Sequence, residues 1–270
     1  MKRLLIVMAV ALTSVSALRA YEFPGFEYTV GADLTTAYLW RGMNYGGLAF
    51  QPAANIGYAG LNLEMWWNLS PEDYTFKTFA PEVDLSLSYS IVGLTVGAYH
   101  YHYFDGSPYF SFGKETGNQT EVFAEFNLAD VAEDFPFHVG WYTMVGGDDT
   151  YEQINGTDTT LTRAFSTYID VSYEFGLPLG FSLTPTVGMS PWKSMYNYYE
   201  DGFSVNNIQL RADWKLELFK HAEIDVYAQV ALNTAGITKD NIITGLDNTY
   251  SADKFSQRLN AGVGVCFSFY

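Results

Sequence analysis

The stretch NIQLRADWKLEL at residues 207–218 alternates without interruption. Ile208, Leu210, Ala212, Trp214, Leu216 and Leu218 share one parity, and Asn207, Gln209, Arg211, Asp213, Lys215 and Glu217 share the other. Side chains of a strand point alternately to its two faces, so the segment reads as a β-strand with one apolar and one polar face. A strand lying on a soluble core carries the same pattern. What the apolar face meets is decided by the rest of the chain.

The pattern recurs on both sides of this stretch. Residues 28–41 place Val30, Ala32, Leu34, Tyr38 and Trp40 opposite Gly31, Asp33, Thr35 and Arg41, which reads as one first strand. Residues 50–58 and 61–69 follow, joined by the tight pair Ala59-Gly60, with Phe50, Ile56, Leu61 and Leu63 on the apolar side. Pro52 weighs against a central ladder at that point, because proline donates no hydrogen bond. Val83 to Ile91 and Leu94 to Phe104 are joined at Val92-Gly93, and the run Tyr99-His100-Tyr101-His102-Tyr103 leaves its facing open. Further alternating segments bring the total to roughly twelve strands, each near the length that a tilted strand needs to cross hydrocarbon.

The connections carry the stronger signal. Short ones follow the second, fourth, eighth and tenth strands and a moderate one follows the sixth, while those after the odd strands are generally long. The polar parity is rich in Gly, Ser, Asn and acids and poor in Lys, as in a crowded lumen. Aromatic residues recur near strand ends, where interfacial girdles sit. The fold class expected is all-β, an antiparallel transmembrane β-barrel of twelve strands with short periplasmic turns and longer extracellular loops. A soluble exported β-sandwich or lipocalin-like barrel is the competing architecture.

The two ends and the composition agree with export. Residues 1–20 have Lys2 and Arg3 before an apolar run and small residues at Ala17 and Ala20, the pattern of a signal peptide cut after residue 17 or 20. Residues 21–270 then form one barrel. No later run has eighteen apolar residues, so no helix is expected to cross a membrane. The formal net charge is −16, and loss of Lys2, Arg3 and Arg19 makes it more negative still, which argues against nucleic acid as a partner. The single Cys266 makes no internal disulfide.

Three segments, AYLWRG at 37–42, QPAANIGYAGLNLEMWWN at 51–68 and PEVDLSLSYSIVGLTVGAYHYHY at 81–103, resemble the TorF-like porins of Gram-negative bacteria and related barrels of Bacteroidetes. SPW at 190–192 and the final strand are similar to them more weakly. The resemblance implies an outer-membrane location and a porin-like class, without naming a solute. Barrels of this kind usually end with an aromatic residue on the lipid parity, whereas here that parity passes through Phe267 and Phe269 and leaves Tyr270 one residue out of phase.

The inward parity collects the candidate lumen residues: Asp33, Glu64, Glu82, Asp84, Glu121, Glu125, Asp170, Glu174, Asp213, Glu217, Glu223 and Asp225 against Arg41, Arg211, Lys215 and Arg258. Carboxylates around a wet pore favour cations over anions. The competing expectation is that these charges pair across strands and close the lumen. Trp66, Tyr99, Tyr101, Phe123, Tyr142, Tyr168 and Tyr227 fall on or near the same parity, either as a stacking track for sugar rings or as space-fillers in a small barrel.

The function expected is a passive channel for small solutes, with no catalytic residue and no cofactor or metal. Its partners are the lipid bilayer of the outer membrane and the barrel-assembly machinery. A structural or adhesive barrel with an occluded lumen is the alternative, on the strength of the tyrosine-rich loop at 192–199. An outer-membrane hydrolase is a third, for which no histidine lies in a recognisable catalytic motif. His100 and His102 share one strand face at metal-ligand spacing but lack further ligands. Asp148-Asp149 and the loop acids from Asp240 to Asp253 read as solvated loop charge, with Ca²⁺ binding as the alternative.

Overall fold

A computed structural model describes residues 25–71, 79–155, 158–235 and 259–270. The proposed signal peptide and Arg258 lie outside these residues. In chain order the strands are β1 (Phe26–Thr35), β2 (Tyr38–Trp40), β3 (Met43–Gly46), β4 (Ala49–Tyr58), β5 (Leu61–Pro71), β6 (Phe79–Ile91), β7 (Leu94–His102), β8 (Gln119–Asn127) and β9 (Phe137–Gly147). They continue as β10 (Thr150–Asn155), β11 (Asp158–Arg163), β12 (Thr167–Tyr173), β13 (Phe175–Gly176), β14 (Phe181–Ser190), β15 (Ser204–Phe219), β16 (Ala222–Leu232) and β17 (Leu259–Phe269).

Successive strands of the wall pair antiparallel, β1 with β4 and β9 with β12 across the intervening hairpins, and β1 joins β17 while β12 joins β14, so the ladder closes on itself. The closed wall has twelve strands, with the two-residue β13 adding a short extension beside β14. β2–β3 and β10–β11 are separate hairpins at the long-loop end. Closure leaves no unpaired edge. No α-helix is present among the described residues.

Turn chemistry sorts the two ends. β4–β5 and β6–β7 each turn on two residues with positive φ, Ala59 (52°) with Gly60 (86°) and Val92 (48°) with Gly93 (80°). That is the backbone whose twist matches a two-residue hairpin. Both Phe26 of β1 and Phe269 of β17 lie at this short-turn end. Pro52 is accommodated in β4: it faces Ala32 of β1, while the ladder to β5 skips from Phe50–Leu69 to Ala53–Trp66.

The outer wall carries apolar side chains with nothing over them. Leu61, Leu63, Leu87, Val96, Val122, Leu210, Val226 and Val263 are all exposed, as are Trp141 and Trp214. Inside, large rings fill the room that glycine leaves on the neighbouring strand. A Cβ on Gly188 would fall 2.1 Å from the Tyr168 hydroxyl, one on Gly264 would fall 2.4 Å from the Tyr227 ring, and one on Gly97 would fall 2.7 Å from Phe123. Tyr168 and Tyr227 are accordingly buried. Small and large residues interlock across the lumen as a barrel of this size requires.

Two expectations about facing change. The alternation at 28–41 is not one strand: β1 stops at Thr35, where Thr36 N–H donates to Val263 O (2.9 Å) and the Thr35 hydroxyl donates to Ala37 O (3.0 Å). Tyr38 and Trp40 therefore leave the wall in the β2–β3 hairpin and pack on Trp66 and Tyr101 instead of facing outward. Phe50 and Val83, also read as outward, are buried. Both lie toward the long-loop ends of their strands.

Candidate functional site: the obstructed lumen

The β2–β3 hairpin turns at Arg41 (φ 50°) and Gly42 (φ 80°). Its tip reaches side chains from five strands of the wall. The Arg41 guanidinium donates from both terminal nitrogens to both oxygens of Glu121 on β8, at 2.6 and 2.8 Å. It also donates to the Tyr196 hydroxyl. Its Cζ lies 4.4 Å from the centroid of Trp40, 4.3 Å from Tyr142 on β9 and 4.9 Å from Tyr168 on β12. Gly42 presses on Asn207 of β15, where a Cβ would meet Oδ1 at 2.8 Å, and Asn260 of β17 donates to Gly42 O at 3.4 Å.

The second inward element comes from the loop after β14. Ser194 accepts from Tyr196 N–H through its hydroxyl and donates its own N–H to Asn197 Oδ1, which closes a single turn. This turn carries Tyr196, 1% exposed, against Trp40, Tyr168 and Arg41. Glu121 accepts additionally from Tyr101 (2.8 Å) and Tyr196 (3.4 Å), and is wholly buried. A buried carboxylate is tolerable only when so paired and hydrogen-bonded.

Beside the hairpin lies a cavity of about 420 Å³. Its walls include Tyr38, Trp40, Trp66, Tyr99, Tyr101 and Tyr142 together with Glu64, Asp84, Glu125 and Asp170. Tyr142 donates to Glu125 at 2.7 Å, and His138 Nε2 lies 3.5 Å from Asp170 Oδ1. Asp84 Oδ1 is shut from solvent with no hydrogen-bond partner. A second space of about 340 Å³ adjoins it along β1, β4 and β5 and is bounded by Asp33, Gln51, Glu64 and Trp66.

A second charge cluster lies on β15–β16. Arg211 donates to Asp213 (2.6 Å) and Asp225 (3.2 Å), and its Cζ sits 3.8 Å over the Tyr227 ring. Tyr227 in turn donates to Asp33 of β1. Cross-strand neutralisation, expected as the competitor to an open acidic lumen, is thus present around Arg211 and Arg41. Glu82 is buried near the long-loop end of β6. Lys215, Glu217 and Glu174 are exposed toward the short-turn end, with Glu223 facing Glu217 across β15–β16.

His100 and His102 lie on the outward parity of β7, but the loop at 103–118 folds over them. His100 contacts Thr120 Oγ1 (2.9 Å) and Tyr109 O, and His102 contacts Asn118 Oδ1 (2.7 Å). Each imidazole therefore has protein partners of its own. Asp149 accepts from Ser166 N–H (2.8 Å) and the Ser166 hydroxyl, and burial raises its pKa. The acids between 240 and 253 lie outside the described residues. The tyrosine-rich loop splits, with Tyr196 turned inward and Tyr198 exposed. Alternation could not reveal the hairpin plug, because its partners come from strands distant in the chain.

No protein-family model and no curated protein matches the sequence. Among solved structures the chain is similar to a mutant of the Rh. blastica porin, at 12% identity over 92% of this chain and 75% of that one, with a TM-score of 0.36. It is also similar to Salmonella typhi OmpF in a complex with daunomycin, at 10% identity over 90% of this chain and 97% of that one, with a TM-score of 0.35. The assignment of a closed barrel rests on the strand ladder itself.

Proposed function

We propose that the chain is an outer-membrane barrel that passes small solutes, with a bias to cations, around the Arg41 hairpin. The membrane placement is supported by the apolar outer wall, since this much uncovered Leu, Val and Trp in water forfeits about 25 cal/mol per Å² of apolar area. The short turns then face the periplasm and the hairpins face outward. The observation that carries the charge preference is the balance beside the obstruction. Arg41 is spent on Glu121, which leaves Glu64, Asp84 and Glu125 facing the cavity with no lysine or arginine partner among the described residues.

The test is single-channel current of the refolded protein in a planar bilayer, with the reversal potential read under a KCl gradient. Small discrete steps and a reversal potential on the potassium side are the expected result. A folded barrel that stays silent supports the second reading, a structural or adhesive barrel. The feature in its favour is the hairpin tip touching five strands of the wall.

A further inference from the structure

We infer that the 420 Å³ cavity beside the hairpin is a binding site for a small organic cation, a quaternary or protonated amine with an apolar shell. Its volume lies within the range of small-molecule sites, about 300–1,000 Å³. Three observations determine the class of ligand.

The first is charge. Glu64, Asp84 and Glu125 face the cavity, and the Arg41 guanidinium on its wall is held by Glu121. The second is the wall between the acids. Tyr38, Trp66 and Tyr99 line the space, and the Tyr38 and Trp66 rings lie 5.5 Å apart at 49°. Ring faces attract a cation most when water is kept out, and Trp40 and Tyr142 already do this for Arg41 at 4.4 and 4.3 Å. A second cation meets the same chemistry on the rings that Arg41 leaves. The third is Asp84, which lines the cavity and whose Oδ1 has no hydrogen-bond partner in the protein, so its charge is left for a cation in the cavity to offset.

Neighbouring ligand classes fit less well. An anion meets the carboxylates unfavourably. A hydrated metal ion gains little from ring faces, and no group of three or more His, Cys, Asp or Glu among the described residues is arranged to hold one. A neutral sugar can stack on the rings and donate its hydroxyls to the carboxylates, but it brings no charge to offset theirs.

This inference names a ligand class for the lumen read above as a passage. It is tested apart from conduction, on full-length refolded protein in detergent, where both mouths are open to solution. Calorimetric titration with choline, with its uncharged isostere 3,3-dimethyl-1-butanol and with glucose separates the possibilities. Choline is expected to bind in the millimolar range or tighter, at least tenfold more strongly than the isostere. Trp66→Ala and Asp84→Asn should each weaken choline at least fivefold while circular dichroism shows an intact barrel, and Glu133→Gln, exposed in the β8–β9 connection and away from the cavity, should leave choline binding unchanged. Equal affinity for choline and the isostere, binding of glucose alone, or an unaltered Asp84→Asn titration overturns the proposal. Choline binding with a silent bilayer refutes the channel and keeps the site, whereas cation current without choline binding does the reverse.

Discussion

Arg41 and Glu121, eighty positions apart in the chain, form a two-pronged ion pair at 2.6 and 2.8 Å, with the arginine side chain 8% exposed and the glutamate fully buried. Removing one member of such a pair strands the other. Glu121→Ala is expected to cost about 3–5 kcal/mol, while Arg41→Met with Glu121→Met together stays near neutral. Urea unfolding in lipid vesicles measures both. The single variant should also enlarge the single-channel step, because the hairpin loses its main anchor on β8.

The two faces of β15 differ in what they tolerate. Leu210 is exposed on the outer wall, whereas Gln209 points inward and donates to Gln229 of β16 at 3.3 Å. An arginine facing hydrocarbon costs about 2–4 kcal/mol at the bilayer midplane. Leu210→Arg should lower the yield of folded barrel, seen as heat-modifiable mobility on gels, and Gln209→Arg should not. Equal tolerance at the two positions contradicts the membrane placement.

Gly188 holds the space that the Tyr168 ring enters, and Tyr168 accepts from Asn207 at 3.0 Å and packs on Tyr196. Gly188→Val pushes the ring out of this slot. Overpacking of this kind costs about 1–3 kcal/mol. Near-ultraviolet circular dichroism of the tyrosines should change with it, and adding Tyr168→Ala should relieve part of the loss.

Val92 occupies a left-handed position, φ 48°, at an exposed hairpin turn. A β-branched residue is strained there, and asparagine before Gly93 suits the turn better. Val92→Asn is expected to stabilise by about 1 kcal/mol. A lower urea midpoint for this variant contradicts the turn assignment.

Asp105 accepts from Ser107 N–H (2.9 Å), the Ser107 hydroxyl (3.0 Å) and Gly117 N–H (2.7 Å), so it clasps the two ends of the loop at 103–118. The backbone donors hold its pKa below 3.8. A depressed folded value means that the clasp is at full strength above pH 3.8 and is lost as pH falls through the folded pKa. Amide exchange at Gly117 should accelerate across that acid window. In Asp105→Asn the acceleration should be absent.

What the sequence makes legible is local. Period-two alternation locates the strands, the facing at Leu210 and Gln209 is as expected, and the sorting of short and long connections distinguishes the ends. The inward course of the β2–β3 hairpin is not local. Tyr38 and Trp40 continue the parity of Val30 and Leu34, so the pattern extends a strand past the point where Thr35 and Thr36 turn the chain away. Its destination is set by Glu121, Tyr168 and Tyr196, whose proximity exists only once the barrel has closed. The covering of His100 and His102 by the loop at 103–118 is hidden for the same reason. Of the candidate lumen residues, Arg41, Glu64, Asp84, Glu121, Glu125 and Asp170 converge around the hairpin, and Asp33, Arg211, Asp213 and Asp225 form a separate group.

The join between β1 and β17 runs from Val30 opposite Phe269 to Thr35 opposite Gly264, and it unites the first and last strands of the wall. Every other neighbouring pair in the wall is joined by a single connection of the chain. This one waits for the whole intervening chain, and contacts of such separation are the slow ones in folding. Until it forms, β1 and β17 each offer a bare edge to any passing strand. The interval between synthesis of the two ends is therefore when the chain is most open to aggregation, and a factor that shields those edges before insertion acts on the vulnerable step.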